Sequence, residues 1–140
     1  MSLLLEIVTP ERKAFSGPAD SVILPTASGQ IDILPGHIPL TTLLEPGEIV
    51  VTNGSQTEKL VVDKGFARVL GDTISILTEA AIDEDEIDLE AVAKAQSRAA
   101  AALEEARTRK DVDPAEIEKM EQILRFAAVQ HLIKRPGGGR

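Results

Sequence analysis

The side chains that could carry chemistry are few and far apart in this sequence of 140 residues. Its two histidines, His37 and His131, are separated by most of the chain, and no motif typical of a serine nucleophile accompanies either one. There is no cysteine, which excludes disulfides, thiolate nucleophiles and cysteine-bound metals. No Gly-rich loop ends in Lys followed by Ser or Thr, so the sequence does not predict a Walker-type phosphate site.

Carboxylates are the most abundant reactive groups, and four are consecutive from Asp83 to Glu86. This run could bind a divalent cation, but an acidic linker leading into a helix N-terminus is the stronger interpretation. A carboxylate pair could also hydrolyse glycosides, yet three Phe and no Trp or Tyr leave little for a sugar to stack on. We therefore expect no metal site and no catalytic centre, with an unrecognised carboxylate enzyme as an alternative.

Composition narrows the possible partners further. The net charge is -8 at pH 7, and phosphate backbones repel an acidic protein, so we expect no nucleic-acid partner. The opening segment Met1–Glu6 has three consecutive apolar residues, no basic flank and a terminal charge, which is unlike a signal peptide. No apolar stretch approaches the roughly 20 residues that span a bilayer. The sequence predicts a soluble protein that reaches a membrane only through a partner.

Up to about Ile87, short apolar runs alternate with turn residues, which is typical of β-strands. Apolar residues recur at every second position, which places them on one face of a strand. Examples are Leu3 and Leu5, Val22 and Leu24, Ile31 and Ile33, Leu60 and Val62, and Ile74 and Ile76. Many short strands with frequent turns predict an antiparallel sandwich or flattened barrel.

Four dipeptides are predicted to form turns between these strands. Asn53–Gly54 suits the centre of a type I′ hairpin, because both residues tolerate a positive φ. Gly71–Asp72 suits a type II′ hairpin. Pro35–Gly36 and Pro46–Gly47 fit type II turns, in which Pro fixes its own φ and Gly takes the positive φ.

Beyond Asp88 the pattern becomes helical, since no Gly or Pro occurs as far as about Arg109. The stripe at three- and four-residue steps consists of Leu89, Val92, Gln96, Ala99, Leu103 and Ala106. A second helix is predicted from Pro114, with Asp113 as its N-cap and Glu116 completing a capping box. Its stripe consists of Ile117, Met120, Leu124, Ala127 and His131, widened by Ile123, Ala128 and Leu132. The short connection between the helices predicts an antiparallel hairpin.

The sequence thus predicts an α+β protein in three parts: an antiparallel β-sandwich (flattened barrel) over residues 1–87, a two-helix hairpin over 88–135 and a flexible tail over 136–140. The first part has a net charge of -9 and the remainder +1, with only basic charges from Gln122 onward. This basic end could be a solvated helix terminus or could meet an acidic partner. Because an isolated helix pair is marginally stable, we expect the hairpin to need support and to be able to move.

One segment carries a specific resemblance to a known family. The stretch Gly29–Leu43 contains a Gly, an alternating apolar pair, Pro-Gly-His at Pro35–His37 and then a Pro-Leu step. It resembles the signature segment of the epsilon subunits of F-type (rotary) ATP synthases. The opening Leu5–Glu11, the step Phe15–Gly17 and the segment Gly65–Ala81 are similar to that family's strands in order and spacing.

The resemblance implies a non-catalytic central-stalk subunit of a proton-translocating ATP synthase, without a cofactor. It implies that the sandwich binds the gamma subunit and sits on the membrane-embedded c-ring. By position, Gly29, Gln30, Ile31 and Asp32 would contact the c-ring, and Pro35, Gly36 and His37 would contact gamma. The subunit would be peripheral, on the cytoplasmic side of a bacterial plasma membrane.

The resemblance further implies that the hairpin can fold down or extend along gamma into the catalytic head of alpha and beta subunits, where it inhibits ATP hydrolysis. The residues that would contact beta are Lys119, Arg125, Lys134 and Arg135. Which of the two conformations the hairpin adopts is open at this stage.

The alternative function implied by the resemblance is an ATP-sensing module whose hairpin closes on the nucleotide. Family members that bind ATP have Ile or Leu, Asp, two residues and Arg-Ala at the start of the first helix. Here Ile87–Asp88 is followed, two residues later, by Ala91–Val92, so the Arg is missing. Asp88, Arg98 and Arg125 remain the candidate nucleotide-binding residues.

Overall fold

The computed structural model describes residues 2–134, which form ten strands and two α-helices. The strands are β1 (Leu3–Val8), β2 (Lys13–Ala19), β3 (Ser21–Thr26), β4 (Gly29–Ile33), β5 (Leu40–Leu44), β6 (Gly47–Asn53), β7 (Gln56–Val62), β8 (Gly65–Leu70), β9 (Thr73–Thr78) and β10 (Ala81–Asp83). A 3₁₀ turn, Glu84–Glu86, follows β10, and the helices are α1 (Leu89–Thr108) and α2 (Pro114–Ile133). The chain divides into two compact units between Glu86 and Ile87. The predicted fold class, a sandwich followed by two helices, is confirmed.

The strands form one sheet that curls into a nearly closed sandwich. Their order is β10, β7, β6, β3, β5, β8, β9, β1 and β2, with β4 paired to β3, and β2 also contacts β6. The pairing of β1 with β9 is parallel, whereas the other pairings of the described strands are antiparallel. The antiparallel sandwich that the sequence predicted therefore contains one parallel pairing, that of β1 with β9. Seven strands separate β1 from β9 along the chain, and parallel pairing requires such a long connection.

An aliphatic core fills the interior of the sandwich. In β1 the predicted alternation is present, because Leu3, Leu5 and Ile7 are buried while Leu4 is 53% exposed. The largest fully buried side chains are those of Leu3, Leu5, Ile7, Leu24, Ile33, Leu44, Ile49, Leu60, Ile74, Ile76, Val22 and Val61. Each Leu or Ile of this kind contributes about 1.5–3 kcal/mol by leaving water, so burial is the main source of the sandwich's stability.

Two predicted turns have the expected geometry. Gly36 has a φ of +84°, and the His37 N–H donates to the Leu34 carbonyl at 3.1 Å, as in a type II turn. Gly71 has a φ of +62° and is the first of the two residues between β8 and β9. That position of positive φ is the one a type II′ hairpin requires.

The predicted type I′ hairpin at Asn53–Gly54 is wrong in its register and its type. Asn53 is the last residue of β6 and pairs with Gln56, so the two central residues are Gly54 and Ser55. Of these, Gly54 alone has a positive φ, at +65°. A positive φ at the first central residue only is the type II′ pattern.

The predicted type II turn at Pro46–Gly47 is also wrong, because Gly47 does not have a positive φ. Gly47 is instead the first residue of β6. A Cβ added there would stand 3.0 Å from the Cβ of Pro25. Close approach of the neighbouring strand, rather than turn geometry, therefore favours glycine at this position.

Both helices begin where the sequence predicted, and α2 has the N-cap that it predicted, Asp113. The Asp88 carboxylate accepts hydrogen bonds from the backbone of Glu90 and Ala91 at 3.0 and 3.3 Å. Asp113 caps α2 through the Ala115 N–H at 3.0 Å, and Pro114 is the first helical residue.

The predicted capping box of α2 is not formed as expected. The Glu116 carboxylate lies 3.5 Å from Nη2 of Arg109, an ion pair that spans the connection between the helices. The basic guanidinium thus attracts the group that a capping box would direct back to the Asp113 backbone. The side chain that caps the N-terminus of α2 is that of Asp113.

The buried stripe of the hairpin is narrower than predicted. On α1, Ala99, Leu103 and Ala106 are buried as expected. On α2, Ala127 and Gln130 are buried, and the predicted widening is wrong because Ile123, Ala128 and Leu132 are exposed. A helix with one partner helix covers only a narrow strip of its surface. Neither α1 nor α2, the helices formed within residues 2–134, combines the length and apolarity needed to cross a membrane.

Candidate interaction surface

A row of apolar side chains crosses the outer side of four neighbouring strands of the sandwich. The strand register aligns Leu43 of β5 with Phe66 of β8, Phe66 with Leu77 of β9, and Leu77 with Val8 of β1. Leu43, Phe66 and Leu77 are 62%, 52% and 53% exposed. Strand neighbours alternate between faces, and their neighbours Leu44, Ala67 and Ile76 are buried in the core.

The row borders a groove of about 430 Å³ at one end of these strands. The groove is lined by Val8, Thr9, Pro10, Gly65, Phe66, Leu77, Thr78 and Glu79. Gly65 is required at its base, because an added Cβ would collide with the backbone carbonyl of Leu77. The close approach of β8 and β9 therefore shapes a concave, largely apolar end to the row.

A second apolar pair lies further along the same strands. Leu70 of β8 and Leu4 of β1 both pair with Thr73 of β9, and both leucines are more than half exposed. Between this pair and the row above runs a polar row of Thr41, Arg68, Ser75 and Glu6. We call the six apolar residues Leu4, Val8, Leu43, Phe66, Leu70 and Leu77 the apolar face.

Sequence reasoning did not identify the apolar face, although a signal was present. Strands with one face in water alternate apolar and polar residues, whereas strands covered on both faces are apolar throughout. Leu3–Leu5, Leu43–Leu44, Val69–Leu70 and Ile76–Leu77 are continuous apolar runs. These runs indicate that the outer side of β1, β5, β8 and β9 is suited to contact with another surface.

One of the two predicted rotor-contact segments forms most of β4, and the other follows the end of that strand. Gly29–Asp32 lies in β4, which pairs with β3; Gly29 has a φ of +108°, and Gln30 and Asp32 are exposed. Pro35–His37 forms the type II turn beyond the end of the strand. There the Gly36 N–H donates to the Asp72 carboxylate at 3.3 Å, which joins this turn to the β8–β9 hairpin.

The predicted inhibitory residues do not share one side of α2. At 3.6 residues per turn, Arg125 lies about 120° around the helix from Lys119 and about 180° from Lys134. Lys119 is exposed and Arg125 half-buried. The Lys134 ammonium donates to the carbonyl of Ile87 at 2.9 Å, which joins the end of α2 to the start of the hairpin. Arg135 lies outside the described residues, as does the predicted tail at 136–140.

Two of the three candidate nucleotide residues, Arg98 and Arg125, lie at the same height along the hairpin, and the third does not. The Lys134–Ile87 contact sets the C-terminal end of α2 beside the N-terminal end of α1. At 1.5 Å per residue, Arg98 and Arg125 each lie about 15 Å from that end. Asp88 lies at the end itself and uses its carboxylate as the α1 cap.

The sandwich also carries a groove of about 410 Å³ lined by carboxylates, formed by Arg12, Ala14, Glu58, Asp83, Asp85 and Glu86. A hydrogen bond that the protonated Glu58 carboxyl donates to Asp83, then burial and the neighbouring acids, raises the pKa of Glu58 above its usual 4.5. Burial, followed by a hydrogen bond that protonated Glu84 donates to Glu48, likewise raises the pKa of Glu84. No group of three His, Cys, Asp or Glu within residues 2–134 has an arrangement that could hold a metal ion.

Comparison with known proteins identifies a family that this chain resembles in sequence. Residues 2–84 match the family model described as "ATP synthase, Delta/Epsilon chain, beta-sandwich domain". The ATP synthase epsilon chain of Desulforamulus reducens is 38% identical over 126 residues, which cover 90% of this chain and 96% of that protein. The epsilon chain of Chloroflexus aggregans is 39% identical over 137 residues, with 96% and 98% covered.

Solved structures give the same association. A chain in the cryo-EM structure of the OSCP, F1 and c-ring of the Euglena gracilis mitochondrial ATP synthase superimposes with a TM-score of 0.64 at 27% identity, covering 95% of this chain and 82% of that one. A chain of the central stalk and c-ring structure from the Tetrahymena thermophila enzyme gives 0.56 at 13% identity, covering 95% and 96%. At that identity the second likeness shows a shared fold only.

Proposed function

The chain belongs to the family of ATP synthase epsilon chains, and from this premise we propose that it is a central-stalk subunit of a proton-translocating F-type ATP synthase. Epsilon chains are accessory subunits, so the chain is not an enzyme by itself. In the proposed role its sandwich binds the gamma subunit and couples gamma to the c-ring. The likeness to a chain in the Euglena assembly, which contains F1 and a c-ring, supports this role.

The observation that carries the proposal is the apolar face. Exposed, contiguous apolar patches on soluble domains are typical of protein interaction sites. Phe66 lies at the middle of the row, between Leu43 and Leu77, and aromatic residues at the centre of an interface contribute most to binding. We assign this face to gamma, with the predicted turn Pro35–His37 at its edge.

Charge substitution on this face tests the assignment. Phe66→Glu should weaken binding of the full chain to a gamma-containing head complex depleted of this subunit by about 30-fold, the loss expected when a central anchor is removed. Isothermal titration calorimetry measures the affinity. Thr57→Glu is the matched control, because it adds the same charge to the exposed position Thr57 of β7, outside the apolar face. Wild-type affinity in Phe66→Glu would assign gamma to another surface.

The proposed contact with the c-ring is the segment Gly29–Asp32. Gln30 and Asp32 are exposed on β4, so their side chains are accessible to a partner. Asp32→Lys reverses a charge there without changing the apolar face. We expect it to leave gamma binding intact and to reduce ATP-driven proton pumping in reconstituted vesicles. Unchanged pumping would remove Asp32 from the coupling contact.

The hairpin is the proposed inhibitory element. Because Lys119 and Arg125 point to different sides of α2, single charge reversals can separate their contributions. If Lys119 contacts an acidic segment of beta, Lys119→Glu should raise ATP hydrolysis by the reconstituted head. Lys94→Glu, which makes the same charge reversal at an exposed position of α1, is the control. Truncation after Ile87 measures the whole effect, and equal hydrolysis with the full and truncated chains would refute inhibition.

A nucleotide sensor is the second candidate, favoured by the common level of Arg98 and Arg125 in the hairpin. ATP bound to the folded hairpin stabilises it by RT ln(1 + [L]/Kd). We expect ATP to raise the melting temperature of the wild-type hairpin and not that of Arg98→Ala. A wild-type hairpin that melts at the same temperature with and without ATP would exclude this candidate.

The proposed location follows from the proposed partners. Bound to gamma and the c-ring, the chain would be a peripheral component at the cytoplasmic side of a bacterial plasma membrane, and its association with the membrane would be indirect. Cell fractionation in the presence and absence of gamma tests this location. Membrane association that persists without gamma and the c-ring would contradict it.

A further inference from the structure

A short segment, Ala81–Glu86, closes the sandwich unit, and we call it the strap. Its strand β10 pairs with β7 over only three residues, Ala81 with Val62, Ile82 with Val61 and Asp83 with Leu60. The Arg12 guanidinium donates to the Ala81 carbonyl at 2.9 Å. So short a pairing is weak by itself, and the side chains of the strap therefore have a large influence on whether it stays attached.

Two of those side chains contact carboxyl groups on the strands beneath. Asp83 of β10 pairs with Leu60 of β7, which places its side chain on the same face as that of Glu58, two residues along the strand. The Glu58 and Asp83 carboxyl groups line one groove and share a hydrogen bond, and Glu84 shares one with Glu48 of β6. An ionised carboxylate can only accept hydrogen bonds, so a bond between two carboxyl groups requires that one of them is protonated. When both groups of a pair are ionised, the same contact becomes a repulsion.

At the first pair, Glu58–Asp83, the surrounding charges make the contact depend more strongly on protonation. Glu58 also faces Asp85 and Glu86, both negative, while Arg12 lines the same groove as the one cation among its lining residues. At the second pair Asp85 adds negative charge and Lys59 opposes it. The Asp83 carboxylate additionally accepts the Asp85 N–H at 2.9 Å, which fixes its position in the strap.

We propose that the strap is a pH-sensitive clamp. It is held to β6 and β7 by a proton shared within each of the pairs Glu58–Asp83 and Glu48–Glu84, and it loosens when both carboxyl groups of each pair are ionised. Protonation favours the attached form, so the stabilisation is complete below the ordinary carboxyl pKa. It is lost as the pH rises through the raised pKa values of Glu58 and Glu84 in the folded state.

A loosened strap would change the connection between the two units. Its six residues, once extended, add up to about 20 Å of reach ahead of Ile87. If the hairpin is the inhibitory element proposed above, acidification would shorten its tether and alkalinisation would lengthen it. This consequence rests on the proposed function, whereas the clamp itself does not.

Hydrogen exchange of the isolated full-length chain tests the clamp. The protection of the strap amides, corrected for the intrinsic exchange rate, is measured from about pH 4.5 to about pH 8 in the wild type and in the double variant Glu48→Gln/Glu58→Gln. Gln keeps a hydrogen-bonding side chain and removes the titrating charge. Glu45→Gln, at an exposed carboxylate in the β5–β6 connection, is the matched control.

We expect the wild type and the control to lose several-fold protection in the strap as the pH rises, while the double variant keeps its low-pH protection throughout. Titration of Glu58 and Glu84 by carboxyl NMR must show midpoints that coincide with the loss. Parallel exchange profiles in wild type and double variant would overturn the clamp. Because no gamma subunit or head complex is present, that result would leave the proposed function untouched.

Discussion

The sandwich and the hairpin are built from different amounts of buried apolar surface. The sandwich encloses large Leu and Ile side chains from seven strands around one core. On α1 the hairpin buries two Ala and one Leu, and on α2 it buries Ala127 and Gln130. Since a buried Leu contributes about 1.5–3 kcal/mol and Ala far less, the sandwich has the larger reserve of stability. The roles proposed above, a rigid anchor for the sandwich and a weakly held inhibitory element for the hairpin, require that difference.

The comparison extends to the surfaces that each unit presents. The sandwich has apolar residues on both sides of β1, β5, β8 and β9, so it can bury a second surface without rearranging. The hairpin exposes Leu132 at 68% and Ile123 at 36%, two large apolar side chains that the partner helix does not cover. Binding by the sandwich therefore needs no change of fold, whereas the thin buried stripe of the hairpin supports the proposal that a partner can remodel it.

The largest expected effect is in the sandwich core. Leu5→Ala removes a fully buried side chain of β1, and we expect it to lower the free energy of unfolding of the sandwich by about 2–5 kcal/mol. Chemical denaturation followed by circular dichroism measures the change. A loss below about 1 kcal/mol would mean that the core collapses around the cavity, and the contrast between the units would weaken.

The next effect arises from backbone packing rather than from side-chain burial. Gly65→Ala forces a methyl group against the Leu77 carbonyl, so β8 and β9 must separate. We expect a loss of about 1–3 kcal/mol, together with weaker partner binding because the groove beside Phe66 changes shape. Gly54→Ala is an informative control, since its added Cβ meets nothing within 4 Å and its cost comes from the positive φ alone. Wild-type stability in Gly65→Ala would show that the strands adjust freely.

A core substitution in the hairpin should lower its free energy of unfolding by about 2 kcal/mol. This is the lower end of the range for Leu→Ala, because two helices can move together and partly fill the cavity. Leu103→Ala removes the one large buried side chain of α1. The unfolding should be confined to residues 88–134, and hydrogen exchange resolved by segment detects this. Loss of protection in β1 and β9 to the same extent would show that the two units unfold together.

Much of the fold follows from periodicity and end signals in the sequence. Alternation identified the strands, and Asp88, Asp113 and Pro114 marked the helix starts that the structure has. The parallel partner of β1 could not be predicted, because the paired residues of β1 and β9 are 69 positions apart and local pattern does not determine such a contact. Turn types were harder still, since Asn53–Gly54 allows a two-residue loop in either of two registers.

The candidate surface was less predictable than the fold. Individual strands signal an apolar outer side through runs such as Leu43–Leu44, but only the register aligns Leu43, Phe66 and Leu77 into one row. The carboxyl pairs were hidden for the same reason. Glu58 and Asp83 are 25 residues apart in the sequence and meet because β10 folds back on β7.

A helix cap should matter less than a buried Leu. Asp113→Ala removes the side chain that accepts the Ala115 N–H, and the expected loss in hairpin stability is about 1 kcal/mol. Asp113→Asn keeps an acceptor at this position and should recover most of it. Thermal melting monitored through α2 measures both variants. An Asn variant as unstable as the Ala variant would assign the effect to charge and not to capping.

The smallest effect concerns the ion pair that replaces the predicted capping box. Arg109 and Glu116 lie 3.5 Å apart with side chains 49% and 57% exposed, so water screens their attraction. A double-mutant cycle with Arg109→Ala and Glu116→Ala should give a coupling of about 0.2–1 kcal/mol. In about 1 M salt, where the screening length is about 3 Å, this coupling should vanish. A larger or salt-resistant coupling would mean that the connection between the helices is held firmly, and the hairpin would then be less easily remodelled than its thin buried stripe implies.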